Sequence, residues 1–187
     1  QENGVEIPPA IAGLLCSAIL SDTLMFRSPT CTPVDQAMAR NLAKIAGINM
    51  EAHASAMFSA ASQLQDKTPD EIFHIDCKRF QCSDKSIAVA QVTGMSKEEL
   101  KRVKEEMLPY LKEALPSSGM DMLFLLLTNI LEQSSELLFA GTGARDTVST
   151  AFPSIECGEE SILLPGVVSR KKQLIGPLMS AIEANGE

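Results

Sequence analysis

The sequence predicts an α/β protein: a C-terminal domain with a mixed sheet flanked by helices, preceded by a helical segment. Two observations support this prediction. The N-terminal third contains helical patterns and no strand pattern. Beyond it, short apolar runs typical of strands alternate with amphipathic helical patterns, as in a sheet covered by helices. With 45% hydrophobic residues among 187, the chain can bury one large core or two small ones.

The overall charge excludes some functions. The chain has 24 acidic and 16 basic residues, for a formal charge of −8, whereas nucleic-acid binding needs a basic face. The longest uncharged apolar runs are shorter than the ~20 residues of a membrane helix, and no signal-peptide pattern opens the chain. We therefore expect a cytoplasmic protein that binds neither nucleic acid nor membrane.

Cysteine and histidine do not suggest a site. The five cysteines are irregularly spaced and form no zinc-binding pattern, so we expect reduced, mostly buried thiols. His53 and His74 stand alone in the sequence, and neither is proposed as a site residue.

Three helices are predicted in the N-terminal part. The first covers residues 10–20, which are almost wholly apolar, so it should be buried on all sides. Thr32, Pro33 and Asp35 begin the second helix, and Gly47 ends it. The third spans about residues 50–64. An all-apolar helix needs a partner layer, and the chain begins with Gln1 rather than Met. We therefore expect a fragment of a longer protein whose strands precede Gln1.

The second part is predicted to start with a short helical turn capped at residue 68. Residues 75–80 and 87–92 follow as a strand pair, and residues 121–128 as a central strand covered on both faces. Residues 136–140 and 163–168 are the remaining strands. Ser96 begins a helix whose apolar residues recur at spacings of three and four, and a closing helix covers about residues 170–184.

Three cations at the start of the closing helix are the most informative feature. Arg170, Lys171 and Lys172 stand where the helix dipole disfavours positive charge. A bound anion such as phosphate would account for them, since both the free N–H groups and the cations attract it. The alternative is a solvated helical turn whose lysines pair with distant carboxylates.

Two further residues are weaker candidates when taken alone. Asp22 ends the apolar first helix, where it could accept a local hydrogen bond; if it is buried, a metal ion becomes the better explanation. Lys78 lies in a predicted strand and could be an ordinary edge-strand charge.

Taken together, these motifs resemble a known family. They are S-D-T (residues 21–23), S-P-T-C-T (28–32), D-C-K (76–78), V-A-Q-V (89–92) and S-R-K-K-Q (169–173). In this order they resemble the C-terminal part of the family II, manganese-dependent inorganic pyrophosphatases of the DHH phosphoesterase superfamily. The resemblance runs nearly from end to end of the chain.

The resemblance implies a two-domain organisation. Residues 1–64 would be the helical C-terminal part of the DHH metal-binding domain, residues 65–71 a linker, and residues 72–187 the substrate-binding domain. It further implies that Asp22 is a metal ligand and that Lys78, Arg170 and Lys171 bind the substrate phosphates. The family's other ligands match nothing in this chain.

The activity implied by the resemblance is the hydrolysis of pyrophosphate to two phosphates. Mn²⁺ or Co²⁺ would lower the pKa of a water that attacks phosphorus, with Mg²⁺ accompanying the substrate, in a protein that forms homodimers. We expect this fragment alone to be inactive, because Asp22 cannot hold a metal cluster by itself. The alternatives are another DHH phosphoesterase, acting on polyphosphate or oligonucleotides, or a non-catalytic anion-binding module.

Overall fold

The chain divides into two compact units, residues 1–62 and 63–187. The structure is a computed structural model and describes residues 6–61, 64 and 66–186. The first unit contains helices and the second contains the sheet. The assignment of residues 1–64 to a metal-binding domain, 65–71 to a linker and 72–187 to a substrate domain stays a prediction.

The described part of the first unit forms three helices: α1 (Pro9–Asp22), α2 (Pro33–Ala46) and α3 (Met50–Ala61). Thr32 and Asp35 make both hydrogen bonds of a capping box at the start of α2, which satisfies N–H groups that the first turn leaves free. Gly47 ends α2 in the left-handed conformation, at φ +69°. The third helix is predicted to reach residue 64, which is not helical; residues 62 and 63 lie outside the described residues.

The prediction that α1 is buried on all sides is wrong. Ala12, Cys16 and Leu20 are buried at spacings of four residues, because α2 and α3 cover that face with a small apolar core. Leu14, in contrast, is 69% exposed, and Ile11 and Leu15 are also exposed. Only one stripe of the apolar helix is therefore packed.

The second unit is built on a mixed sheet flanked by helices, as predicted. Its strand order is β1-β2-β3-β4-β5. Strands β2 and β3 are parallel, whereas the other neighbours are antiparallel. All eight residues of β3 are buried, which confirms the predicted central strand. The strands are β1 (Cys77–Cys82), β2 (Lys85–Gly94), β3 (Met122–Asn129), β4 (Ser134–Gly141) and β5 (Ser161–Pro165).

Helices cover both faces of this sheet with two apolar clusters. On one face lie α4 (Pro69–His74) and α5 (Lys97–Ser118). On the other lie α6 (Ala144–Ala151) and α7 (Ile175–Asn185). The predicted stripe of α5 is buried at Leu100, Val103, Met107 and Leu111. None of the described helices is long and apolar enough to cross a membrane.

Most strands differ from the predicted ranges by one or two residues at an end, and three boundaries differ for a local structural reason. Strand β1 starts at Cys77 rather than residue 75, because Ile75 still has helical backbone angles at the end of α4. Strand β5 ends at Pro165 rather than residue 168, because Gly166 turns the chain at φ +74°. The closing helix begins as a π-helical turn (Arg170–Leu174) before α7.

A hydrogen bond between α4 and α5 provides a test of this packing. The hydroxyl of Tyr110 donates to Asp70 Oδ1 at 2.7 Å. Burial, and next the bond to Asp70 and its charge, raise the pKa of Tyr110. Because the neutral phenol is favoured in the folded state, this stabilisation is fully present below the unfolded pKa of about 10 and is lost as the pH rises through the higher folded pKa.

We therefore expect the absorbance of Tyr110, the single tyrosine, to titrate above its ordinary range in the folded chain. Asp70→Asn should lower this pKa partway, since burial remains, while Asp84→Asn in the β1–β2 turn should leave it unchanged. The measurement is absorbance at alkaline pH. An ordinary pKa in the intact chain would contradict the α4–α5 contact.

Candidate functional site

The predicted cation cluster lies at one edge of the sheet. Strands β2 and β3 are parallel, so their C-terminal ends share this edge, and the antiparallel β1 and β4 begin there. The chain returns to the same edge when β5 ends, because Pro165 pairs with Ser134. In open α/β sheets the C-terminal ends of parallel strands are the usual place for a ligand.

Residues 166–170, which we call the 166–170 loop, lead from β5 into the π-helical turn and include its first residue, Arg170. Gln173 holds this loop by three hydrogen bonds. Its side-chain oxygen accepts hydrogen bonds from the N–H groups of Val168 (3.0 Å) and Ser169 (3.1 Å). Its side-chain nitrogen donates to the carbonyl of Gly166 at 2.7 Å. One glutamine thus satisfies three backbone groups that have no strand or helix partner.

Side chains of the sheet also hold this loop. Ser135 Oγ donates to the carbonyl of Val167 at 2.7 Å. Gln91 Nε2 donates to the carbonyl of Val168 at 3.2 Å, and Gln91 Oε1 accepts from the N–H of Arg170 at 3.3 Å. Because buried backbone groups without partners are costly, these side chains determine the path of the loop.

Arg170 is buried, with a relative exposure of 6%. Its Nη1 donates to the carbonyls of Asp76 (2.5 Å) and Val89 (3.0 Å), and its Nη2 donates to Asp76 Oδ1 at 2.8 Å. These bonds use three of the five N–H groups of a guanidinium. The fork that the sequence suggested for phosphate is therefore partly occupied by the protein itself, and two N–H groups remain.

The free N–H groups expected at this helix start are also partly used. The N–H of Arg170 is bonded to Gln91, and the N–H of Lys172 donates to Ser169 Oγ at 3.4 Å. Two of the N–H groups that would share an anion with the cations are therefore already bonded. Any anion bound here is held mainly by side chains.

Lys78 lies close to Arg170 in the fold. In the β1–β2 register it pairs with Val89, whose carbonyl accepts from Arg170. By strand alternation its side chain is on the same face as Phe80, which packs with the cluster that contains α7. The structure therefore places Lys78, Arg170 and Lys171 at the same end of the sheet. Both lysines are exposed, and among the described residues neither amine has an ion pair or hydrogen bond.

Asp22 belongs to the first unit, where it is the last residue of α1. Three consecutive residues after it, Leu24, Met25 and Phe26, have left-handed φ values of 48°, 52° and 69°. This conformation costs roughly 1–2 kcal/mol per residue. Thr23, which is buried, stabilises the segment: its Oγ1 donates to the carbonyl of Ile19 at 2.7 Å and accepts from the N–H of Phe26 at 3.2 Å.

The carboxylate of Asp22 is suited to bind a metal ion only as one ligand among several. Mn²⁺ binds carboxylate oxygens well. Within the described residues, the carboxylate of Asp22 forms no hydrogen bond or ion pair that would compete with a metal ion. It is exposed rather than buried, so the burial that would by itself favour a metal is not observed. No group of three or more potential metal-binding side chains occurs among the described residues.

The cysteines do not contribute to the site. All five are free, two buried and three half-buried, so the expectation of mostly buried thiols is met only in part. Cys77 adjoins Asp76, but burial raises the pKa of its thiol, and the opposing effect of Arg170 is smaller. Burial also raises the pKa of Cys16 and Cys82.

The sequence analysis assigned no role to four residues around the 166–170 loop, Asp76, Gln91, Thr128 and Ser135, although two of them stand in its motifs. Two of them carried a signal, because Gln91 interrupts an otherwise apolar strand and Thr128 ends an apolar run. A polar residue in a strand buried on both faces requires a hydrogen-bond partner. Asp76 belongs to the D-C-K motif, but no local pattern indicated the hydrogen-bond partner of Asp76 or of Ser135, because Arg170 and Val167 lie far along the chain.

A family model described as the DHHA2 domain matches residues 55–181. The chain is 44% identical over 182 residues to a Clostridium acetobutylicum protein named "Probable manganese-dependent inorganic pyrophosphatase", a match that covers 97% of this chain and 58% of the relative. It is also 44% identical over 181 residues to the "Cobalt-dependent inorganic pyrophosphatase" of Clostridium perfringens, covering 97% of this chain and 33% of the relative.

A solved structure is similar as well. A crystal structure from Methanococcus jannaschii, which carries the name of a family II inorganic pyrophosphatase, matches with a TM-score of 0.81 and 38% identity. The match covers 96% of this chain and 58% of that one. These comparisons confirm the resemblance drawn from the motifs. The chain spans less than two thirds of the length of these relatives.

Gln173→Ala tests how the 166–170 loop is held. The substitution leaves the N–H groups of Val168 and Ser169 and the carbonyl of Gly166 without their partner. An unsatisfied buried polar group costs about 1–3 kcal/mol, so we expect a loss of that order in the free energy of unfolding. Gln81→Ala, at an exposed glutamine of β1, should change it by less than about 0.5 kcal/mol. Urea denaturation measures both, and equal effects would contradict this role of Gln173.

Proposed function

Because the chain belongs to the DHHA2 domain family, we propose that it serves the hydrolysis of inorganic pyrophosphate to two phosphates. The observation that carries this proposal is the clustering of Lys78, Arg170 and Lys171 at one sheet edge, on motifs that resemble those of the manganese-dependent pyrophosphatases. The proposed substrate is the pyrophosphate anion, with Mg²⁺ accompanying it. The second unit, in this proposal, is the substrate-binding domain.

The three cations have different roles in this proposal. Lys78 and Lys171 are exposed and each offers three N–H donors on a flexible stem. Arg170 is fixed by Asp76 and Val89 and offers two remaining N–H groups to a phosphate oxygen. A guanidinium already held in place loses little entropy when the anion binds, and it needs little reorganisation as charge develops on the departing phosphate.

Asp22 is proposed as one ligand of the metal site, for Mn²⁺ or Co²⁺. Bound divalent ions of this kind act as Lewis acids on phosphoryl oxygen and lower the pKa of water. The short loop held by Thr23 would keep the carboxylate in a defined position. Because the described residues contain no cluster of metal-binding side chains, we propose that this chain alone does not hydrolyse pyrophosphate. A homodimeric state of the complete protein is a further part of the proposal.

Substitution of Lys171 tests the substrate-binding role. In the complete protein, Lys171→Ala should lower kcat/KM for pyrophosphate by about 10²- to 10³-fold, as for the removal of one donor to a developing anion. The matched control is Lys172→Ala, which removes the neighbouring exposed lysine and should leave kcat/KM within about threefold, as a surface change away from the chemistry. The measurement is phosphate release under manganese.

Two outcomes would contradict the proposal in different ways. Equal losses in the two lysine variants would mean that only the general positive charge of the turn matters. A complete protein without manganese- or cobalt-dependent release of phosphate from pyrophosphate would overturn the proposed function itself.

Asp22→Asn tests the metal-binding role. Loss of a carboxylate ligand should weaken the binding of Mn²⁺ to the complete protein by at least the 10- to 100-fold seen when a residue supporting a ligand is lost. Glu51→Gln, which neutralises another exposed acid of the first unit, should leave Mn²⁺ affinity unchanged. Calorimetric titration with Mn²⁺ measures both variants without relying on activity. Unchanged affinity in Asp22→Asn would remove Asp22 from the metal site.

A further inference from the structure

We propose that Gln91, Thr128 and Ser135 form a polar relay whose role is to position the 166–170 loop for phosphate binding. This inference rests on the proposed function and adds three positioning residues to it. The relay crosses β2, β3 and β4 at the sheet edge where the cations meet. None of its members is proposed to touch the substrate.

The relay is a continuous chain of hydrogen bonds. Gln91 Nε2 lies 3.0 Å from Thr128 Oγ1. Thr128 Oγ1 lies 2.9 Å from Ser135 Oγ, its register partner on β4. Ser135 Oγ then donates to the carbonyl of Val167 at 2.7 Å. The chain therefore begins and ends on the backbone of the 166–170 loop, because Gln91 also bonds Val168 and Arg170.

Only one arrangement of hydrogens satisfies this chain. The single hydroxyl hydrogen of Ser135 goes to the carbonyl of Val167, so Ser135 must accept from Thr128. The hydroxyl hydrogen of Thr128 is then used, so its oxygen accepts from Gln91 Nε2. The amide of Gln91 has one orientation too, because a flip would turn its oxygen toward the carbonyl of Val168 and its NH₂ toward the N–H of Arg170.

Two members of the relay follow or face the apolar run of the central strand. Thr128 is 0% exposed and Ser135 is 1% exposed, whereas the six preceding residues of β3 are apolar and buried. Buried hydroxyls contribute little net stability compared with apolar groups of the same shape. Their presence is therefore better explained by the loop than by the core in which they are buried: Ser135 holds the carbonyl of Val167, and Thr128 links Ser135 to Gln91, which holds two further loop groups.

Holding the loop in place has a direct consequence for the proposed ligands. The N–H of Arg170 is bonded to Gln91, and Lys171 follows it in the chain. A displacement of the loop by a few tenths of an ångström would therefore displace both cations relative to the substrate phosphates. Because binding groups must be held closely in register, small displacements of this kind weaken binding out of proportion to their size.

Thr128→Val in the complete protein is the decisive variant, since valine has the shape of threonine without the hydroxyl. We expect the KM for pyrophosphate to rise by about tenfold with kcat within about threefold, the pattern of lost binding in both ground and transition states. Thr128→Ser keeps the hydroxyl and should restore the KM. Ser135→Ala, which breaks the relay at its other end, should raise the KM in the same way.

The matched control is Thr147→Val in α6. Thr147 is also buried, at 3% exposure, and its hydroxyl bonds Met122 Sδ rather than the loop. The Thr147→Val variant should keep the KM for pyrophosphate of the unmodified protein. Urea denaturation of both valine variants separates a general loss of stability from a loss of positioning.

Hydrogen exchange at the amide of Arg170 gives a second readout that does not depend on activity. Faster exchange in Thr128→Val, but not in Thr147→Val, together with the rise in KM, would support the relay. An unchanged KM in both Thr128→Val and Ser135→Ala, with Lys171→Ala impaired, would overturn the relay and leave the proposed function intact. If the unmodified complete protein does not hydrolyse pyrophosphate, the proposed function fails, and unchanged exchange in Thr128→Val would then overturn the relay as well.

Discussion

Complete burial of β3 is the constraint on which the second unit depends. A strand whose eight residues are all buried must have a neighbour on each edge and a layer on each face, because exposed apolar surface and unpaired backbone groups both cost free energy. Strands β2 and β4 provide the neighbours. Helix α5 covers one face, and α6 and α7 cover the other. The chain can reach α7 from β5 only by passing the sheet edge where β2 and β3 end.

That passage creates the candidate site. The 166–170 loop passes over polar residues of three strands. Most hydrogen bonds of its backbone are made with side chains, not with the backbone of a neighbouring strand. Gln173 and Gln91 bind different backbone groups of the loop. Such a segment has a fixed backbone path without being a helix or a strand. A fixed path is useful where cationic side chains must be held in position to bind an anion. The polar groups are tolerated in this apolar layer because each has a partner.

Arg170 combines a structural and a proposed functional role. Its guanidinium joins the 166–170 loop to the start of β1 through Asp76 and to β2 through Val89. A free arginine would lose side-chain entropy on binding a ligand, whereas Arg170 has already lost it on folding. The first unit also holds an unfavourable local conformation. The left-handed backbone of the residues that follow Thr23 costs free energy by itself, and a hydrogen bond to the Thr23 side chain stabilises it.

The sequence by itself determined the elements whose signals are local. Capping residues such as Thr32 and Ser96, the stripe of α5 and the apolar run of β3 depend on neighbours a few residues away, and the structure has them as predicted. The family resemblance likewise came from short motifs, and the cations of the S-R-K-K-Q motif were recognisable without a fold. Only the tertiary structure decided that Arg170 is tied to Asp76, that α1 packs on one stripe, and that the closing helix begins as a π-helical turn. The physical reason is that each of these depends on contacts between residues far apart in the chain, such as the 94 positions between Asp76 and Arg170, for which no local pattern exists.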